Sequence, residues 1–276
     1  MTKYPMTKEL TFRRLVIGCL VIGYFHAVVF QPALAQEGSL VTYRSKRFVV
    51  RTDLSQAQAD AALTRLEQLV DQLEAYWGKP TKGPIEVRLV GKLDRWSPNE
   101  LPADATEQLK QNAGTTLTER ATDEDGNVVS IESIVYATPD PRSYLHEAVH
   151  AYCWQTFGRC GPDWYAEGMA ELWAFRMSGV SEKFAAFLRE NPPVTIADVV
   201  GDKLPTKTRW QAYAYRWALC QLLASDQRYA QQFQTFGRKL LNGENVDPLA
   251  EFAVELPSLE AGFAAFMRET QASRKR

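Results

Sequence analysis

Apolar residues recur along this chain in three rhythms, and each predicts a different element. From position 15 to 30 they run almost unbroken behind Lys3, Lys8, Arg13 and Arg14, and Pro32 and Ala33-Leu34-Ala35 follow. A basic start, an apolar centre and a small-x-small end predict an export signal over residues 1–35, cleaved after Ala35. The alternative is an uncleaved anchor, because the run approaches the ~20 residues a membrane span needs. Short β-branched and aromatic runs come next. Leu40-Val41-Thr42-Tyr43 and Phe48-Val49-Val50-Arg51-Thr52 predict two strands split by polar Arg44-Ser45-Lys46-Arg47. Ile85-Glu86-Val87-Arg88-Leu89-Val90 alternates apolar and polar residues and predicts a half-buried strand. Between these, Ala62, Leu63, Leu66, Leu69, Val70 and Leu73 repeat at three and four residues, a helix ended by Gly78 and Pro80.

Residues 92–126 are polar and broken by Pro98, Pro102, Gly114 and Gly126, which predicts mostly loop with one short helix. Asp125-Gly126 is a hairpin signal, followed by Val128, Val129 and Ile131 and then by Ile134-Val135-Tyr136-Ala137 as a strand. The plain expectation for that last strand is an ordinary place inside a sheet. At a sheet edge it would instead offer its backbone to an extended peptide.

From residue 140 the rhythm is helical. Asp140 as N-cap, Pro141 at the first helical position and Gly158 as the stop frame one helix, and the next runs from about Asp163 to near Gly179. Further helices are predicted around Phe184, Phe187 and Leu188, over 212–224 and 229–241, and at 249–252 and 259–266, with a short turn or helix at 195–200. The pattern is therefore α+β: a signal over 1–35 and one domain over 36–276. In that domain an α/β lobe with a small mixed sheet (36–139) precedes a helical lobe (140–276).

Charge and composition narrow the partners. The leader's four basic residues and single acid, Glu9, carry +3, so the whole-chain charge of −1 becomes −4 for residues 36–276. No basic stripe stands out, so nucleic acid is not an expected partner. Once the signal is removed, no membrane span is expected either. Beyond the leader lie Cys153, Cys160 and Cys220. Export permits a disulfide, and a Cys153–Cys160 bridge would pin the turn after the first helix of the helical lobe; two buried thiols are the other outcome. Cys220 fits a small core position.

The chemistry concentrates in Leu145-His146-Glu147-Ala148-Val149-His150. On a helix the two imidazoles lie one turn apart on one face and can grip one metal ion. Glu147 lies between them, able to reach the water that the metal activates without being a ligand. A catalytic zinc needs three protein ligands and an open position. The chain's only other histidine is His26, in the leader, so the third ligand must be a carboxylate or a thiolate. Glu167 is the choice, sixteen residues past His150; Glu171, one turn further on, is placed to accept a hydrogen bond from a ligand imidazole. The reverse assignment of the two glutamates is the alternative.

Together, His146-Glu147-x-x-His150 and Trp164-x-x-Glu167-Gly168-x-Ala170-Glu171 resemble the gluzincin branch of zinc metallopeptidases. The resemblance is nearest to the peptidase MA-like families of exported bacterial proteins. It implies a zincin-like fold, one zinc ion per chain held by His146, His150 and Glu167, and Glu147 as general base. It is strong over 145–172 and weaker elsewhere. The His150-to-Glu167 spacing is slightly shorter than in the best-known members, and no Gly-x-Met-Glu-Asn segment is present to support recognition of a substrate amino terminus.

The function expected is an exported, periplasmic or extracellular, zinc-dependent peptidase that hydrolyses peptide bonds of a peptide or protein substrate. A second donor usually helps hold the developing oxyanion. Tyr213 leads for that role, with Tyr215 and Arg216 as further candidates. Trp154, Phe157, Trp164, Tyr165 and Trp173 fit either a groove floor or the core, with core the plainer expectation, as it is for Trp210 and Trp217. Two other functions use the same residues: a secreted zinc- or peptide-binding module without turnover, and a zinc amidase acting on cell-envelope amides.

Overall fold

A five-stranded mixed sheet carries the N-terminal half, and the alternation of its strands explains how it is buried. The computed structural model describes residues 40–270 except 124, 126 and 127. The export signal expected over 1–35 and the glycine of the Asp125-Gly126 turn lie outside the described residues.

Strands β1 (Val41–Arg44), β2 (Phe48–Thr52), β3 (Ile85–Leu89), β4 (Thr115–Thr122) and β5 (Val128–Ala137) assemble in the order β1-β2-β3-β5-β4. The three central strands are parallel and the two outer pairings antiparallel. Phe48, Val50, Ile85, Val87, Val135 and Ala137 point into the main core. Tyr136 faces the other way, into a smaller cluster with Val90, Trp96, Leu101, Ala105 and Leu109 under helix α2 (Ala103–Lys110).

Helix α1 (Gln56–Trp77) crosses over from β2 to β3 and buries Leu63, Leu66, Leu69, Val70 and Leu73 against the sheet. Arg47, in the β1–β2 turn, fixes its approach. This buried guanidinium pairs with Glu67, Asp71 and Glu74, which stand at helical spacing on one face of α1.

One expectation needs correction. Residues 92–126 are not mostly loop: besides α2 they contain β4, whose Thr115-Thr116-Leu117-Thr118 start is β-branched but too polar to read as a strand by hydrophobicity. The edge strand beside β5 is β4, and Ile134–Ala137 takes the interior place that is the plainer expectation, hydrogen-bonded to β3 and to β4. A peptide cannot add to β5 at Ile134–Ala137.

The helical lobe follows the predicted boundaries closely. Helix α3 (Pro141–Phe157) starts at Asp140, whose side chain accepts from the Arg142 N–H at 3.0 Å, and stops at Gly158. Then come α4 (Asp163–Ser178), α5 (Glu182–Glu190), α6 (Ile196–Val200), α7 (Arg209–Ser225), α8 (Ala230–Leu241), α9 (Pro248–Glu251) and α10 (Leu256–Glu269). Helices α3 and α4 are buried nearly all round, so their polar residues need partners inside the protein. No helix among the described residues is long and apolar enough to cross a membrane.

Candidate metal centre

Two turns of α3 and the start of α4 bring three side chains to one point. His146 and His150 share a face of α3, and their Nε2 atoms stand 3.2 Å apart. Glu167, on α4, places Oε2 3.2 Å from His146 Nε2 and 3.5 Å from His150 Nε2. These three form the group among the described residues whose ligand atoms are close enough to share an ion. Glu167 Oε2 is buried and makes no aligned hydrogen bond, an orphaned acceptor aimed at two ring nitrogens.

The donor set fits zinc. Bonds of ~2.0–2.1 Å in a tetrahedral site imply ligand atoms roughly 3.3 Å apart, and the observed sides of the triangle are 3.2, 3.2 and 3.5 Å.

Electrostatics follow from this crowding. Burial works against a charged His146 ring, but contact with Glu167 and Glu171 outweighs it and raises the pKa to about 9. His150 is raised too: burial opposes this, while Cys160 and Glu167 favour the charged ring. Burial pushes Glu167 up, yet the two imidazoles prevail and hold it far below the usual carboxylate range.

Glu171 takes the supporting position. Its Oε1 lies 3.5 Å from His146 Nδ1, and its carboxylate is clamped by Arg142 through Nε at 3.1 Å and Nη2 at 2.8 Å. A fully held carboxylate behind a ligand imidazole fixes ring orientation and tautomer. Sequence reasoning misses Arg142, although Arg142, His146 and His150 form one four-residue stripe along α3.

Glu147 sits beside the triangle rather than in it. Thr116 Oγ1 on β4 reaches both its Oε2, at 2.8 Å, and its backbone carbonyl, at 2.9 Å. Neither Thr116 nor Gly114, which touches the same side chain, carries a sequence signal, because both contacts join segments about thirty residues apart.

Helix α7 covers the site from the other side. The Tyr213 ring stacks on His146 with centroids 5.8 Å apart. Burial, then the negative charge of Glu167, raise its pKa, so the hydroxyl stays a proton donor. Tyr215 turns away to Pro192 O at 3.2 Å, and Arg216 is ion-paired to Asp202 at 2.6 Å.

Cys153 and Cys160 are free thiols, both buried, and the bridge that their spacing allows is not formed. Cys160 Sγ instead contacts the His150 carbonyl at 3.6 Å. Cys220 is a core residue, as are Trp164, Tyr165, Trp173 and Trp217. Phe157 packs partly buried on the core, whereas Trp154 and Trp210 line cavities at the site.

Three cavities of about 480, 460 and 280 Å³ meet here. The first opens over His146 and Glu147 towards α2, the second lies behind Glu167, and the third runs from Trp154 past the Thr115-Thr116 edge of β4. No family model matches this chain, and no curated protein does.

Proposed function

We propose that this chain is an exported zinc-dependent peptidase of zincin-like fold. The observation that carries the reading is the near-equilateral triangle of His146 Nε2, His150 Nε2 and the orphaned Glu167 Oε2, with Glu147 alongside. The export part rests on the sequence of residues 1–35 alone.

A zinc ion held by His146, His150 and Glu167 would supply a Lewis acid that polarises a substrate carbonyl and lowers the pKa of water to ~7. Glu147 receives the proton of the attacking water and passes it to the leaving amine. Thr116 occupies Glu147 Oε2 and leaves Oε1 for that exchange. Tyr213 donates a hydrogen bond from its hydroxyl to the carbonyl oxygen as charge develops there. The unpaired edge of β4 borders the third cavity, so an extended peptide adds to the sheet there with its backbone across Glu147.

The test joins metal analysis to turnover. The full chain should hold about one zinc, lost in His146→Ala and Glu167→Ala. It should cleave members of a mixed peptide library, and Glu147→Gln should keep the metal while losing ~10²–10⁴ in rate. Retention of zinc by Glu167→Ala would move the third ligand, and failure of the parent to bind zinc would end the reading. Zinc without cleavage of any peptide would leave a binding module, or an amidase if envelope amides are cleaved instead.

A further inference from the structure

Two residues, and only two among those described, line all three cavities: Tyr213 and Arg209. They stand one turn apart on the face of α7 that covers the metal ligands. Tyr213 has a role in the reading above; Arg209 has none.

Three of the cations around it are already committed. Arg142 is clamped to Glu171 and Arg216 is paired with Asp202. Lys183 lies over the Trp210 ring, 4.0 Å from its centroid. The Arg209 side chain forms no hydrogen bond or ion pair within the described residues, although Asp163 lines the second cavity with it, and the residue is exposed. Lys207 stands exposed in the same cavity, a second positive charge without a partner among the described residues. The acids nearest the reaction point, Glu147, Glu167 and Glu171, are occupied by Thr116, the imidazoles and Arg142. An unpaired guanidinium where every channel to the site meets offers a planar, two-pronged donor to an incoming carboxylate.

We infer that Arg209 selects substrates carrying a carboxylate close to the cleaved bond, either an acidic side chain or the free carboxyl end of the peptide. This rests on the peptidase reading for its chemistry, but it concerns binding and is tested as binding. In the second cavity, which Arg209 and Lys207 both line, that carboxylate meets two positive charges. Neutral peptides enter the same cleft without this contact.

The experiment compares three fluorescent peptides of one length: one with an internal glutamate and an amidated end, one neutral with a free carboxyl end, and one neutral and amidated. Each is titrated by anisotropy into the zinc-loaded Glu147→Gln protein, alone and combined with Arg209→Gln or Arg209→Lys. At least one acid-bearing peptide should bind about tenfold more tightly than the neutral amide. Arg209→Gln should abolish the difference, and Arg209→Lys should retain part of it. The peptide that shows the preference identifies the source of the carboxylate. Equal affinities, no measurable binding, or a preference that survives Arg209→Gln would overturn the inference; in the last case the metal or Lys207 is the anchor. Cleavage of the same peptides by the protein with Glu147 intact is scored separately. Absence of cleavage counts against the peptidase reading and leaves the binding comparison decisive for Arg209.

Discussion

Gly114 presses its bare Cα against the side chain of Glu147: a Cβ there would stand 2.6 Å from Glu147 Cγ, with Ser143 Oγ and the Tyr136 carbonyl each at 3.1 Å. The carbonyl belongs to a strand and cannot retreat, so Glu147 would have to move. Gly114→Ala should therefore displace Glu147, the proposed base, while leaving the His146–His150–Glu167 triangle whole. The expected result is a loss of ~10²-fold in kcat, the order of cost for a misplaced catalytic group, with zinc content and melting temperature near the parent's. Hydrolysis assays run beside metal analysis check it; parallel loss of zinc and activity would show instead that the contact shapes the whole site.

The pair of histidines in the His146–His150–Glu167 cluster is legible in the sequence because it is local. His146 and His150 are one helical turn apart, and a chain with three histidines leaves few ways to complete a site. Helix ends are legible for the same reason: Asp140, Pro141 and Gly158 act within a turn of themselves. What the sequence hides is non-local or polar. Strand β4 is held by pairing with β5 and by Thr116 reaching Glu147, with Leu117 packing on the smaller cluster, too little apolar pattern for its sequence to read as a strand. Arg142 and Arg209 look like ordinary surface charges in the sequence. One proves to be clamped to buried Glu171, and the other to stand where three cavities meet.

The pair His146–Glu171 makes the metal-free protein sensitive to pH. With no metal, His146 has a pKa of about 9, because Glu167 and Glu171 outweigh the opposing effect of burial. An unfolded histidine titrates near ~6.5. The raised value stabilises the fold fully below that pH, and the stabilisation is lost as pH rises through about 9. In chelator the melting temperature should fall between these two limits. Zinc stabilisation should grow over the same window, since the metal binds the neutral ring. Glu171→Gln should make the chelator curve less steep, with the part due to Glu167 remaining, and weaken zinc binding by ~10–100-fold. Calorimetry across the pH range reads both effects, and a flat parent curve in chelator would refute the assignment.

Tyr213 tests the donor on α7. Its ring packs on His146, so removing only the hydroxyl leaves that contact intact. Tyr213→Phe should keep zinc and KM and lose ~10²–10³ in kcat, the usual cost of one donor to a developing oxyanion. Tyr215→Phe, whose hydroxyl bonds Pro192 O, should leave kcat unchanged. Equal kcat for Tyr213→Phe and the parent would remove Tyr213 from the mechanism and return the search to Arg216.

The position of Tyr213 depends in turn on Gly168, the residue after Glu167. A Cβ on Gly168 would stand 2.5 Å from Cys220 Sγ and 2.7 Å from the Arg216 carbonyl. A glycine inside a helix costs about 1 kcal/mol relative to alanine, and here that cost is offset by letting α7 lie directly on α4. Gly168→Ala should therefore destabilise despite its better helix propensity, by about 1–3 kcal/mol as an overpacked contact. The strain falls on α7, so Tyr213 and Arg209 move while His146 and His150 on α3 stay in place. Zinc binding should survive better than turnover. Adding Cys220→Ala relieves the sulfur contact but not the carbonyl, so the double variant should recover only part of the lost melting temperature. Full recovery would mean that the sulfur alone limits how closely the helices pack, and no loss in Gly168→Ala would mean that α7 is not held at this distance by α4.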